Sequence, residues 1–401
     1  MQPFARLIRH RLENVAKYFP AVVLTGARQT GKTTLLRQIF AKHHYVSLDL
    51  PSEAESAERD PSNFLRRHPP PVLVDEVQYA PTLFRHIKAV IDAGAQTPGQ
   101  FVLTGSQKWM LMKGVAESLT GRAAIVELET LAAAEIRTTQ VGADLLGDTG
   151  SAIFRGFYPA LWRQPDLPRE EFYSSYIATY LERDLRLALD VGNLRDFDRF
   201  MRLCAARTGQ LLNKSDLARD AGISTKTASA WLSALEACNQ VILVPPWHGN
   251  IGKRLMKSPK LYWHDAGMAA FLMGLDLAAV RASAWSGALW ETAVCAELRK
   301  DLASRPSAKS LFFYRDLDGA EVDFVVADGA HFELTECKTT ELPSDRDTAV
   351  LRRVGQLLHG HGGAQVTAMT LACQTAAPFP LAGGVVAVHG LAQFSFDPTT
   401  M

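Results

Sequence analysis

Gly26-Ala27-Arg28-Gln29-Thr30-Gly31-Lys32-Thr33 decides how this chain folds. The stretch satisfies the pattern G-x-x-x-x-G-K-[ST] at every fixed position. Before it, Ala21-Val22-Val23-Leu24-Thr25 is a short apolar run of the kind a buried strand makes. After it, Thr34-Leu35-Leu36-Arg37-Gln38-Ile39-Phe40 carries apolar residues at helical spacing. Strand, glycine loop and helix in that order let backbone N–H groups converge on phosphate oxygens, and the helix N-terminus adds its positive dipole end. The expected phosphate cradle comprises Gly26, Ala27, Arg28, Gln29, Thr30, Gly31, Lys32, Thr33 and Thr34. Lys32 is expected at the β- and γ-phosphates and Thr33 at Mg²⁺. A chance glycine turn before a helix is the alternative, and the flanking context argues against it.

Further along, Val72-Leu73-Val74-Asp75-Glu76 is an apolar strand that delivers two adjacent carboxylates to its C-terminal end. In an open parallel sheet, ligands bind at that end. Asp75 is expected to hold Mg²⁺ and Glu76 to polarise the water that attacks the γ-phosphate. A third apolar run, Phe101-Val102-Leu103-Thr104, ends in Gly105-Ser106-Gln107. Either Ser106 or Gln107 senses the γ-phosphate or orients the water, or the segment is a plain strand-to-loop turn. Arg122, in Leu119-Thr120-Gly121-Arg122, is either a surface residue or one that reaches the nucleotide of a neighbouring subunit.

These stretches resemble a bacterial and archaeal group of AAA-type ATPases. The resemblance is carried by the glycine loop, Val74-Asp75-Glu76-Val77-Gln78, Leu103-Thr104-Gly105-Ser106-Gln107, Ser118-Leu119-Thr120-Gly121-Arg122 and Tyr180-Leu181-Glu182-Arg183-Asp184-Leu185. It continues through nearly the whole chain. It implies ATP and Mg²⁺ as cofactors, with Lys32, Thr33, Asp75 and Glu76 in the usual roles. It also implies a homo-oligomer, with a hexameric ring as one form, because Arg122 would serve the next subunit's site. The chain departs from the group at Thr130-Leu131, where such proteins often carry a proline-leucine pair.

Residues 4–18 mix apolar and basic residues at helical spacing, and Tyr45 to Leu50 reads as a strand. Ser52 to Asp60 is acidic and reads as a solvated face. Residues 139–151, rich in Gly, Asp and Thr, mark a domain boundary. Residues 170–190 read as an amphipathic helix whose tyrosines suit a core. Asn213 to Ile223 reads as a helix closed by Gly222, and Ser224 as the N-cap of a second helix, with Ala230, Leu232 and Leu235 as core positions. Val241 to Val244 follows as a strand. This is a winged-helix layout, which serves either DNA or protein contacts. The candidate DNA contacts are Ser224, Thr225, Lys226 and Thr227, with Lys253, Arg254 and Lys257 in a basic loop that also holds Lys260.

The last segment has a largely apolar helix carrying Glu291 and a hairpin turning at Asp328-Gly329. The hairpin puts Asp323 on the strand adjacent to that of Glu336 and Lys338, and Glu336 shares a strand face with Lys338. Two carboxylates and a lysine suit metal-dependent phosphodiester cleavage. The segment resembles the PD-(D/E)xK nuclease fold at Asp323, Glu336-Cys337-Lys338 and Glu291, with Val322 where that fold has proline. The alternative is a nuclease-derived fold used for binding or assembly.

The expected fold is thus α/β in three parts. Residues 1–140 form a P-loop AAA-type ATPase domain with a parallel sheet flanked by helices. Residues 151–280 form a helical and winged-helix domain, and residues 281–401 an α/β nuclease-like domain. A net charge of +1 draws the chain to neither nucleic acid nor membrane as a whole, so a DNA contact needs a local patch. The five scattered cysteines show neither metal spacing nor a disulfide framework, which suits a cytoplasmic setting. The N-terminus lacks the apolar core of a signal peptide, and no apolar run is long enough for a bilayer. The expected activity is Mg²⁺-dependent ATP hydrolysis coupled to DNA remodelling, with Holliday junctions and repair intermediates as the concrete substrates. An ATP-gated nuclease and a nucleotide-switched protein-binding or signalling module are the alternatives.

Overall fold

The apolar run ahead of the glycine loop is a strand, β1 (Ala21–Thr25), every residue of which is buried. The computed structural model describes residues 4–94, 97–106, 108–145, 147–180, 194–247, 258–306, 308–359 and 363–392. They divide into two compact units, one built mainly from Met1–Leu131 and the other from most of the remaining chain.

In the first unit, α1 (Arg9–Val15) precedes β1, and α2 (Lys32–Ile39), β2 (His44–Ser47), α3 (Pro51–Arg59) and α4 (Pro61–Arg67) follow. Then come β3 (Val72–Asp75), α5 (Leu83–Ala93), β4 (Phe101–Gly105), α6 (Lys108–Ser118) and β5 (Ala123–Glu127). The five strands form one sheet in the order β2-β3-β4-β1-β5. All neighbours are parallel. Alternate residues therefore serve opposite faces. Val23 and Leu103 pack with Phe84, Ile87 and Leu111 on one face. Val22 and Leu24 pack with Leu12, Leu35 and Leu36 on the other. Parallel strands bring their C-terminal ends to one edge, which is what assembles a site from β1, β3 and β4.

Two expected boundaries shift. The strand expected through Leu50 stops at Ser47, because Pro51 occupies the first turn of α3 and Leu50 must turn to enter it. The first helix is shorter than 4–18, spanning Arg9–Val15.

The second unit begins with α7 (Ala133–Arg137), α8 (Thr149–Arg155), α9 (Pro159–Arg163), α10 (Arg169–Tyr180) and α11 (Leu194–Ala205). On α10, Phe172, Tyr173 and Tyr176 are buried and belong to the core. Next are β6 (Gln210–Leu211), α12 (Lys214–Ala221), α13 (Thr225–Ala237), β7 (Val241–Val244) and β8 (Lys260–Trp263). These three strands form an antiparallel sheet ordered β6-β8-β7. Of the core positions expected on α13, Leu232 and Leu235 are buried but Ala230 is exposed. The buried stripe runs Ala228, Trp231, Leu232, Leu235, and Ala230 points off it.

The chain continues through α14 (Ala266–Leu272), α15 (Leu277–Ala282) and α16 (Ser286–Ser304). It then forms β9 (Ser310–Arg315), β10 (Glu321–Asp328), β11 (His331–Cys337), α17 (Ala349–Leu358), β12 (Gln365–Cys373), β13 (Phe379–Pro380) and β14 (Val385–His389). The last six strands make one mixed sheet, β13-β14-β12-β11-β10-β9. Its β9-β10-β11 part is antiparallel, and β11-β12 and β12-β14 are parallel. The hairpin at Asp328-Gly329 forms as expected, with Gly329 at φ 59°. Among the described residues, no helix is long and apolar enough to cross a membrane.

Candidate functional site

The glycine loop leaves the C-terminal end of β1 with three positive φ values, at Gly26 (147°), Gln29 (59°) and Gly31 (92°). A Cβ on Gly26 would lie 2.2 Å from the Leu128 carbonyl oxygen, so only glycine fits where the loop passes the segment after β5. Gly31 caps α2 in the left-handed region, which turns the loop directly into the helix N-terminus. The Lys32 ammonium is buried and donates to the carbonyls of Gly26 at 3.0 Å and Ala27 at 2.8 Å. Thr30 ties the loop to itself through Oγ1 on the Ala27 carbonyl, 2.9 Å.

Asp75 closes β3. Its carboxylate accepts from Thr33 Oγ1 at 2.9 and 3.1 Å and from the Tyr45 hydroxyl at 3.0 Å. Burial raises its pKa, and the Glu76 charge adds to that, while Thr33 and Tyr45 oppose it. Hydroxyl and carboxylate oxygens are a hard donor set, and Thr33 with Asp75 fits Mg²⁺. A bound Mg²⁺ neutralises charge that develops on the phosphates.

Glu76 leaves the strand in the left-handed region, φ 55° and ψ 46°. A non-glycine residue there costs on the order of 1 kcal/mol or more, and the geometry it achieves explains the strain. The carboxylate turns toward β4, where Oε2 accepts from Ser106 N at 3.3 Å and Ser106 Oγ at 3.0 Å. Gln78 Nε2 donates to the same oxygen. Burial alone would raise the Glu76 pKa, but the Lys32 ammonium, Gln78, Arg28 and Ser106 together hold it below the usual carboxylate value. It is therefore ionised at neutral pH and able to accept a proton from water. Because β4 lies between β1 and β3 in the sheet, Ser106 stands between the loop and the carboxylate pair. Gln107 lies outside the described residues.

Arg122 sits at the opposite end of the sheet. It precedes β5, whose register with β1 runs from Ala21↔Ala123 to Thr25↔Glu127. The loop leaves the far end of that pairing, about 13 Å or more away at a strand rise of ~3.3 Å per residue. Arg122 forms a two-point ion pair with Asp92, 2.5 and 3.0 Å. It does not reach the nucleotide site of its own chain, so a role at a nucleotide requires another copy.

Three residues with no role expected from sequence complete the site: Tyr45, Gln78 and Arg6. Gln78 follows Glu76 by two residues in Val74-Asp75-Glu76-Val77-Gln78, and that spacing is the signal for its bond to the carboxylate. The Arg6 guanidinium donates to the carbonyls of Thr30 (2.7 Å), Glu129 (2.7 Å) and Thr130 (3.2 Å), bracing the loop against the segment after β5. Arg6→Ala is expected to lower unfolding stability by about 1–3 kcal/mol, the range for losing buried charge-assisted bonds. Chemical denaturation of the two proteins measures it, and an unchanged midpoint would show the brace to be idle.

The candidate DNA-contact residues divide. Ser224 Oγ accepts from Thr227 N at 3.0 Å and bonds Thr227 Oγ1 at 2.8 Å, so both are engaged in capping α13. Thr225 and Lys226 are exposed at the start of that helix. Lys253, Arg254 and Lys257 lie outside the described residues, as do Leu181 to Leu185. Lys260, expected in a solvent-facing basic loop, is instead on β8 and buried. Its side chain leaves the face of β8 that packs on α16 and β10, where carboxylates from both receive it.

Those carboxylates are the nuclease-like set. Glu291 on α16, Asp323 on β10 and Glu336 on β11 do come together. Asp323 Oδ2 accepts from Cys337 N at 2.9 Å, and Lys338 Nζ donates to Glu336 Oε1 at 2.8 Å. Lys260 Nζ stands 2.9 Å from Glu291 Oε1 and 3.2 Å from Asp323 Oδ1 and also contacts Glu321. Among the described residues, no group of three His, Cys, Asp or Glu side chains is arranged to hold a metal ion. With the Lys260 ammonium between Glu291 and Asp323, the set does not fit Mg²⁺.

Burial, then the neighbouring Asp323 charge, pushes Glu291 and Glu336 up to about 7. Carboxylates with raised folded pKa values bind more protons folded than unfolded. Their contribution to stability is complete below the unfolded value of 4.5 and is lost as pH rises through about 7. Glu336→Gln is expected to flatten the fall of the melting midpoint between pH 4.5 and about 7. An unchanged slope in the variant would place that titration elsewhere.

A parallel sheet with a glycine loop on β1, a threonine–aspartate pair, and a glutamate held by the end of the intervening strand defines an AAA-type P-loop ATPase. A family model described as an AAA domain matches residues 18–137. Two models described as domains of unknown function, DUF8612 and DUF4143, match residues 148–279 and 286–390. The uncharacterized protein Rv2008c of Mycobacterium tuberculosis is 31% identical over 339 residues, covering 83% of this chain and 74% of that protein. The uncharacterized protein Mb2031c of Mycobacterium bovis matches equally. The chain belongs to the family of these mycobacterial proteins. Among solved structures, the Walker-type ATPase PABY2304 of Pyrococcus abyssi is similar at 15% identity and TM-score 0.45, over 68% of this chain and 98% of that one. The Thermotoga maritima RuvB Holliday junction branch migration motor is similar at 17% identity and TM-score 0.30, over 60% and 87%.

Proposed function

We propose that this ATPase couples Mg²⁺-dependent ATP hydrolysis to the binding and remodelling of DNA, acting as a homo-oligomer. The observation that carries the DNA reading is the pair α12–α13. Gly222 closes α12 at φ 73°, Ser224 caps α13, and Thr225 and Lys226 stand exposed at the start of that second helix. Helix, tight turn, capped helix and antiparallel strands are consistent with the winged-helix layout expected from sequence, and a second helix that begins with exposed polar and basic side chains suits a major groove. The oligomer reading rests on Arg122, whose position at the far end of the sheet permits action on a nucleotide only in trans. The ring would be hexameric in the form expected from sequence, and branched DNA such as a Holliday junction is the substrate with the most specific test.

ATP turnover measured with no DNA, linear duplex and four-way junctions tests this. Stimulation by DNA, strongest with the junction and lost in Lys226→Glu, is the expected result. Stimulation that survives Lys226→Glu moves the contact off α13. Turnover indifferent to every DNA overturns the proposal. It would favour a nucleotide-switched protein-binding module, which the near-zero net charge of +1 also suits. The ATP-gated nuclease is the least favoured reading, because the carboxylates it needs are engaged with Lys260.

A further inference from the structure

The carboxylate cluster of α16, β10 and β11 already contains a cation. The Lys260 side chain is 3% exposed, and its ammonium lies against Glu291, Glu321 and Asp323. An ammonium has three N–H donors, and here each finds a different carboxylate. Tyr262, two residues along β8, donates its hydroxyl to the same Glu291 oxygen that Lys260 holds. Residues two apart on a strand share a face, so β8 presents both groups to the cluster together. Arg315 completes the set by bonding Glu321 at 2.9 Å, and Lys338 engages Glu336.

Burial by itself would lower the Lys260 pKa, but Glu291, Asp323 and Glu321 overturn that and raise it. The side chain is charged throughout the physiological range. A buried ammonium is tolerated only when paired this fully, and removing one member of such a set leaves the others uncompensated. Two of the oxygens that a bridging metal ion would need, Glu291 Oε1 and Asp323 Oδ1, are therefore directed at one nitrogen.

We propose that Lys260 is the resident cation of this cluster, standing where a divalent ion would bind, so that the site takes up no Mg²⁺ and the nuclease-like sheet serves to anchor β8. The site keeps the residues of a metal-dependent phosphodiesterase and has its metal position filled by the chain's own lysine. The lysine joins β8 to α16 and β10, which ties the α12–α13 element's sheet to the C-terminal one. This role does not depend on what the ATPase acts upon.

Mn²⁺ is the probe, because it binds oxygen ligands as Mg²⁺ does and its free form is read directly by electron paramagnetic resonance. The full chain is used without nucleotide and with Asp75→Asn, which removes the carboxylate charge from the Thr33–Asp75 pair of the P-loop site and so weakens its hold on a divalent ion. This protein is expected to show no Mn²⁺ binding that depends on Asp323. Adding Lys260→Ala is expected to create one Mn²⁺ site, tighter by roughly tenfold or more than any background binding, and adding Asp323→Asn is expected to remove it. Lys260→Met, which keeps the length of the side chain, serves if the alanine variant does not fold. Mn²⁺ bound with Lys260 in place and lost on Asp323→Asn overturns the proposal. So does a folded Lys260 variant that gains no Mn²⁺. If neither variant folds, the lysine-containing chain and its Asp323→Asn partner decide the question.

Discussion

Glu76→Gln is expected to bind ATP and fail to turn it over, with turnover reduced on the order of 10²–10⁴-fold, the range for losing a positioned general base. The argument is geometric. The substitution keeps the shape of the side chain, and Ser106 N, Ser106 Oγ and Gln78 Nε2 still have an oxygen to bond. Lys32, Thr33 and Asp75 are untouched, so phosphate and Mg²⁺ binding persist. What disappears is the negative charge that Lys32 and Arg28 help to keep ionised against burial. Single-turnover assays with labelled ATP, alongside equilibrium binding, separate the two effects. Turnover within a few-fold of the parent would mean that another group activates the water.

Lys32→Ala is expected to lose both nucleotide affinity and turnover, the latter by about 10²–10³-fold or more, as when one preorganised charge-stabilising donor is deleted. The ammonium lies within bonding distance of the loop's own carbonyls at Gly26 and Ala27, so it is held at the centre of the phosphate cradle. Its charge is the one that meets the β- and γ-phosphates, where negative charge redistributes during transfer. The contrast with Glu76→Gln is diagnostic, since one variant binds and stalls while the other binds poorly. Equal ATP affinity in parent and Lys32→Ala would move the nucleotide away from this loop.

Much of the nucleotide site was legible because its parts are local. A glycine loop needs neighbours in sequence to make its turn, and a strand that ends in Asp75-Glu76 announces its own direction. Gln78 is local to Glu76, but Arg6 and Tyr45 act over long sequence separations. Arg6 reaches Thr30 and Glu129, and Tyr45 reaches Asp75. None of these three contacts has a spacing that a sequence pattern encodes. Ala230 was misplaced because two apolar positions two residues apart on a helix face opposite sides, and Trp231 supplied the stripe instead.

The C-terminal carboxylates make the same division plainer. Strand alternation and the Asp328-Gly329 turn were enough to bring Asp323, Glu336 and Lys338 together, because a hairpin's register follows from its turn. The charge that meets them was not legible. Lys260 looked like one more basic residue in a basic stretch, and only the tertiary structure brings β8 against α16 and β10.

By itself, then, the sequence determined a parallel P-loop sheet, its phosphate cradle and the two carboxylates that follow, since loop chemistry and strand periodicity act over a few residues. Only the tertiary structure decided that Glu76 turns away from the strand toward Ser106, that Arg122 lies at the wrong end for its own nucleotide, and that Lys260 meets the carboxylates of Glu291 and Asp323. Each of those depends on which strand ends and side chains are brought within a few ångströms by packing, and burial then sets the charge that each group can hold.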